Sequence, residues 1–193
     1  MPPPPAPSLE RPWSLSPVLP TGLPIALVQA WMAQDHVARW WQQAWSLSAW
    51  SDEVARQLAA AHSRPWLVSH DGRPLAYVES YRVARDVIAE HHPVGPYDLG
   101  VHIAVGEPAA TGRGLGTALL RALADGLLAA DPACERVLGD PAADHTAARR
   151  AFAAAGYRPL AEVALGHKRA ALLAYDRAAA RTTAPAATPE EGR

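Results

Sequence analysis

The chain has 193 residues, with 18 Lys and Arg against 19 Asp and Glu, for a formal net charge of −1. That length suits one domain around a single core, and the charge balance argues against nucleic acid or an anionic membrane as a main partner. The single cysteine, Cys134, excludes an intrachain disulfide.

The opening "MPPPPAPSLERP" is rich in proline and reads as a flexible lead over residues 1–12. It has neither the charged start nor the apolar stretch of a signal peptide. No apolar run reaches the roughly 18 residues of a membrane span. A cytoplasmic protein is expected, with a compact domain over 13–177 and a disordered Ala/Thr/Pro/Glu-rich tail over 178–193. The sequence leaves monomer and dimer open.

"IALVQAWMAQDHVARWWQQAW" reads as helix broken near "AQDH", with Val37, Trp41 and Trp45 on one face. "SDEVARQLAAAH" is a second helix, with Ser51 as its expected N-cap. "PWLVSHDGRPLAYVESYRV" forms a hairpin around "HDGR". "DLGVHIAVG" is a strand, "GLGTALLRALADGLLAA" a helix and "CERVLGD" a strand. "DHTAARRAFAAAG" is a helix closed by Gly156. "YRPLAEVAL" and "HKRAALLAYD" finish as strands. This order predicts an α/β fold, a mixed central sheet with helices on both faces.

Between His102 and Leu123 a strand passes through "TGRGLGT" into a helix. Glycine permits positive φ and close approach of a ligand to the backbone. A helix start offers unpaired N–H groups and the positive end of a dipole, which suit a phosphate. The loop lacks the G-K-[ST] ending of a nucleoside-triphosphate loop and is too compressed for the dinucleotide fingerprint.

"TGRGLGTALLRAL" resembles the pyrophosphate loop of the GNAT superfamily of acyl-CoA N-acyltransferases, whose pattern is Gln/Arg-x-x-Gly-x-Gly/Ala. Gly114 and Gly116 match, while Thr111 stands where Gln or Arg is usual. The helix "HTAARRAFAAAGY" is similar to the family's Asn-x-x-Ala helix, with His145 in the Asn place. The resemblance implies a GNAT fold and acyl-CoA, acetyl or another short acyl, as co-substrate. It also implies a pyrophosphate cradle from Thr111, Gly112, Arg113, Gly114, Leu115, Gly116 and Thr117, with His145 nearby. Ile103 and Val105 would hold the pantetheine arm through their backbone.

"YDLGVHIAVG", "DPACERVLGDPAADHTAARRAF", "HKRAALLAYDR" and "WMAQDHVARWW" resemble a narrower branch, the acyltransferases of hydroxamate siderophore biosynthesis. In that branch a strand histidine and an aspartate of the Glu/Asp-Pro-x-x-Asp segment form the catalytic pair. The matching positions are His102 and Asp144. The implied reaction acylates an N-hydroxylated amine of lysine, ornithine or cadaverine type, giving a hydroxamate for iron acquisition. His102 is expected to take the acceptor's proton as a neutral imidazole. Many relatives carry a tyrosine acid where this chain has Phe152.

Leu75, Tyr77, Glu79 and Tyr81 share one strand face. Glu79 and Tyr81 are the acceptor-binding candidates, Glu79 for a cationic end. Trp40, Trp41, Trp45 and Trp50 read as core packing. Arg149 and Arg150 read as a solvated helix face, and His91 and His92 as a surface loop. No metal is expected. Cys134 has no base near it in sequence and makes a poor nucleophile. Two alternatives stay open: acetylation of an aminoglycoside 6'-amine or another amine, and a non-catalytic CoA-binding module.

Overall fold

The computed structural model describes residues 1–166 and 168–178. The strands are Trp13–Pro17 (β1), Ser63–His70 (β2), Arg73–Arg82 (β3), Leu99–Val105 (β4), Arg136–Gly139 (β5), Arg158–Leu165 (β6) and Lys168–Asp176 (β7). The helices are Leu23–Met32 (α1), Asp35–Trp41 (α2), Leu47–Ala59 (α3), Ile88–His91 (α4), Leu115–Ala130 (α5) and Thr146–Ala155 (α6). Among the described residues the strands form one sheet in the order β1-β2-β3-β4-β5-β7-β6. Every pairing is antiparallel except that of β4 with β5.

Side chains alternate across a strand, so adjacent residues serve opposite faces. Tyr77 packs with Ile25, Val28, Trp50 and Val54 of α1 and α3. Its neighbour Val78 packs with Leu119 and Leu123 of α5. Phe152 and Ala155 of α6 join Leu120 and Leu127 of α5 over Val137. Helices therefore cover both faces, as the element order predicts.

The feature that matters most for function lies at the centre of the sheet. β3 stays paired with β4 from Leu99 to Val105. β5 pairs with β4 only at Leu99↔Val137 and Gly100↔Leu138. Beyond Gly100 the two parallel strands part, and the outer edge of β4 has no strand beside it among the described residues. A gap through the sheet results, reachable from side chains of both faces.

Three local expectations are corrected. The "ARWWQQAW" stretch stops being helical at Trp41, where Gln42 takes φ 55 in the left-handed region, so Trp45 lies outside the helix. Helix α3 begins before Ser51: the Ser46 hydroxyl caps it by accepting from Ala49 N–H, and buried Trp50 draws the intervening turn into the helix. The proline-rich lead is docked. Arg82, 2% exposed, donates to the carbonyls of Pro2 and Pro3 and to Asp131, and Ser8 N–H donates to Gly126 O. A buried guanidinium needs all its donors satisfied, and the lead supplies acceptors. The expected tail, from residue 179 on, lies outside the described residues.

Candidate active site

A cavity of about 1340 Å³ opens where β4 and β5 part. Val101, Ile103 and Val105 line it from the α5 face of β4, and His102 and Ala104 from the other. Glu79, Asp140, Lys168 and Phe152 complete its inner wall, and Trp40, Trp41 and Trp45 its outer one. Of the four tryptophans Trp50 is buried in the core and Trp41 packs against it while also lining the cavity; Trp40 and Trp45 are cavity wall.

His102 stands directly opposite Glu79 in the β3–β4 register. Its Nδ1 lies 2.9 Å from Glu79 Oε2, and its Nε2 lies 3.1 Å from Asp140 Oδ1. Glu79 Oε1 accepts from Tyr77 Oη and Gln57 Nε2. The second oxygen of Asp140 is 2.9 Å from Lys168 Nζ. Tyr81 Oη also donates to Asp140 Oδ1. Tyr81 crosses β4 over Gly100, where a Cβ would sit 2.2 Å from its ring; only glycine leaves room for that path.

An ionised carboxylate accepts hydrogen bonds and cannot donate them. With a carboxylate at each ring nitrogen, His102 carries hydrogen on both and is an imidazolium. Burial works to discharge the ring, but the charges and hydrogen bonds of Asp140 and Glu79 outweigh it and lift its pKa from 6.5 to about 10. Burial also favours neutral carboxyls, yet the His102 charge and Lys168 hold Asp140 far below the ordinary carboxylate range. Glu79 is lowered against its own burial, chiefly by its hydrogen bond to His102. His102 therefore contributes stability that is fully present below its unfolded pKa near 6.5 and is lost as pH climbs through about 10.

This arrangement changes three expectations. The aspartate on His102 is Asp140; Asp144 is exposed at the cavity rim, four residues on. Glu79, expected to meet a cationic acceptor, lines the cavity with both oxygens hydrogen-bonded, to His102, Tyr77 and Gln57. Tyr81 is 2% exposed and sits behind the histidine, their rings 4.6 Å apart. Cys134 is buried, its thiol pushed up to about 11 by burial.

At the other end, Gly112 (φ 70) and Gly114 (φ 80) take left-handed backbone. Gly114 is the N-cap of α5 with no side-chain cap, so the first-turn N–H groups of Leu115, Gly116 and Thr117 keep their donors for a ligand. Thr111 and Gly116 line the cavity, and Arg113 is exposed beside them. Thr111 Oγ1 donates to Pro108 O, closing the turn before the loop. Leu115, half-buried, packs against the core. His145 lines the cavity as the N-cap of α6, its ring accepting from Ala148 N–H. It stacks on Trp40 at 3.8 Å, with 6° between the rings. His36 Nε2–H donates to Val105 O at the end of the open β4 edge.

Sequence reasoning missed Asp140, Lys168, Gln57 and His36. Asp140 carries a usable signal: it is the first residue past the carboxyl end of β5, where ligands of open α/β sheets gather. The others carry none.

A mixed sheet split beside a glycine-started helix is the arrangement that the sequence resemblance implies for an acyl-CoA N-acyltransferase. Residues 24–165 match the acetyltransferase (GNAT) domain, and the chain belongs to that family of acyl-CoA-dependent N-acyltransferases. Lysine N-acyltransferase MbtK of Mycolicibacterium paratuberculosis is 37% identical over 176 residues, covering 91% of this chain and 79% of the relative. N(6)-hydroxylysine O-acetyltransferase of Escherichia coli is 33% identical over 147 residues, 76% of this chain and 47% of the relative. These names agree with the branch that the sequence pattern resembles. The structure of aminoglycoside acetyltransferase AAC(6')-Ib with coenzyme A superposes with a TM-score of 0.80 at 24% identity, over 89% of this chain and 98% of that one. Among the described residues no helix is long and apolar enough to cross a membrane.

Proposed function

We propose that this enzyme transfers a short acyl group from acyl-CoA to the N-hydroxylated amine of a lysine-, ornithine- or cadaverine-type acceptor, forming a hydroxamate. The observation that carries this reading is the Glu79–His102–Asp140 cluster at the inner wall of a tryptophan-lined cavity. The relatives named for lysine and N(6)-hydroxylysine support the acceptor class.

The pantetheine arm would follow the open edge of β4 at Ile103 and Val105, with the pyrophosphate on Gly112–Thr117 and the start of α5. Strand N–H groups would polarise the thioester carbonyl. The acceptor's alkyl chain would lie along Trp40, Trp41 and Trp45. An alkylammonium has a pKa of about 10.4, so little free amine exists at neutral pH. A hydroxylamine is far less basic and arrives as a nucleophile. A site whose histidine is already charged suits an acceptor that needs no deprotonation before it binds.

The test compares kcat/KM for lysine, ornithine and cadaverine with their N-hydroxy forms from pH 6.5 to 9.5, reading thiol release from acetyl-CoA. The hydroxylated acceptors should lead at neutral pH, and the gap should narrow as pH rises. Equal rates at pH 7, or a preference for plain amines, would overturn the reading in favour of aminoglycoside or other amine acetylation. A chain that binds CoA and turns over nothing would be a binding module.

A further inference from the structure

The reading above leaves open where the protons go. We propose that His102 enters the reaction as the proton donor to the departing CoA thiolate, and that Asp140 receives the proton lost by the acceptor nitrogen. This assignment rests on the acyl-transfer reading and reverses the neutral-base role expected of a lone strand histidine.

Three observations support it. Both ring nitrogens of His102 already face carboxylates, so the ring has a proton to give and no lone pair to accept one. The place of the family's tyrosine acid holds Phe152, 3% exposed and without a hydroxyl. The neighbouring tyrosines do not replace it: Tyr77 Oη is committed to Glu79 and Tyr81 Oη to Asp140. Burial first, and those carboxylates second, push both phenols well above their ordinary range.

The step balances within the site. The acceptor nitrogen attacks the thioester carbon, a C–N bond forms, and the carbonyl electron pair moves to oxygen. The nitrogen's proton passes to Asp140. On collapse the C–S bond breaks, its electron pair stays on sulfur, and the His102 Nε2 proton joins it. The proton on Asp140 then crosses the 3.1 Å to Nε2 and restores the pair. No further reactant is consumed. The order is self-timing: once Asp140 is neutral, the strongest force holding the proton on His102 is gone, and the ring becomes a stronger acid as the thiolate departs. Lys168, on the second oxygen of Asp140, keeps that carboxylate ionised at rest.

The groups that face His102 are Glu79 and Tyr81 from β3 and Asp140 after β5, with Tyr77 of β3 reached through Glu79 and Lys168 of β7 through Asp140. With these partners, wild-type kcat should be level from neutral pH to about 9 and fall as pH passes about 10. A limb that rises toward pH 10 is the signature of a base and would overturn the proposal.

The decisive experiment varies the leaving group. Wild type and His102→Gln are compared on an acyl-CoA and on the matching nitrothiophenyl thioester, whose thiolate leaves without a proton, with one N-hydroxylated diamine as acceptor. The variant should lose about 100-fold or more in kcat/KM on the CoA donor and only a few-fold on the aryl donor. Equal losses on both donors would overturn the assignment. So would a Lys168→Met variant that showed the donor-dependent loss instead. Ring nitrogen shifts of His102 in the wild type at pH 8, which need no variant to fold, should be those of imidazolium; neutral-ring shifts would overturn it. If the wild type releases no CoA with any amine, the functional reading falls and takes this proposal with it; if the wild type is active and the losses are equal, only this proposal falls.

Discussion

From Thr111 to Thr117 the cavity is flanked by backbone, whereas at its other end side chains from β3, β4, β7 and the turn after β5 do the work. The first region is local: two left-handed glycines and one helix start, all within seven residues. The second spans Glu79 to Lys168 and exists only because β4 lies between β3 and a strand that leaves it after two pairs. A backbone site tolerates many side chains but few extra atoms. A charged side-chain site tolerates extra atoms but no loss of charge. The two ends should therefore fail differently when altered: one in affinity for the donor, the other in turnover.

The largest effect is expected at Asp140. Asp140→Asn keeps the shape but removes the charge that pairs with His102 and Lys168. Steady-state kinetics should show kcat down by about 10²- to 10⁴-fold, with the acyl-CoA KM changed only a few-fold. A large rise in KM with kcat kept would break the division between the two ends.

Gly114→Val and Gly116→Val should show the opposite pattern: acyl-CoA KM up by about tenfold or more, with kcat kept within a few-fold. The pair also sharpens the comparison. Gly114 has φ +80, so any side chain there strains the loop even with space around it. At Gly116 a Cβ would meet only Val105 Cγ2 at 3.7 Å, so Gly116→Ala adds one methyl group to an unstrained chain. A donor KM unchanged in all three folded variants would remove the loop from CoA binding.

How far each end was legible follows from the same contrast. The glycine loop, the hairpin and the alternation that sets His102 and Ala104 against Ile103 and Val105 are short-range patterns, and the structure places them as the sequence suggests. Glu79 and His102 each stand out in the sequence, but their pairing does not, because it depends on the β3–β4 register. Trp45 continued a four-residue spacing that the backbone abandons at Gln42. Lys168 reaches Asp140 through the β5–β7 pairing, which joins residues well over thirty apart and leaves no local trace.

The smallest effect is expected at Asp144, and it tests the reading of "DPAAD" most directly. Asp140 and Asp144 bracket the same segment, and the sequence resemblance points to Asp144. The fold separates them. Asp140 directly follows β5 and is 5% exposed, in contact with His102. Asp144 has turned out of the sheet and is exposed one residue before the cap of α6. Nor does it cap that helix, because the His145 ring takes the Ala148 N–H. What it offers is a negative charge near a helix start, a minor stabilisation in open solvent. Asp144→Ala should therefore leave kcat/KM within about twofold and stability within about 0.5 kcal/mol, measured by thiol release and by denaturant melting. A kcat loss on the scale of Asp140→Asn would return Asp144 to the catalytic pair and show that the segment moves when acyl-CoA binds.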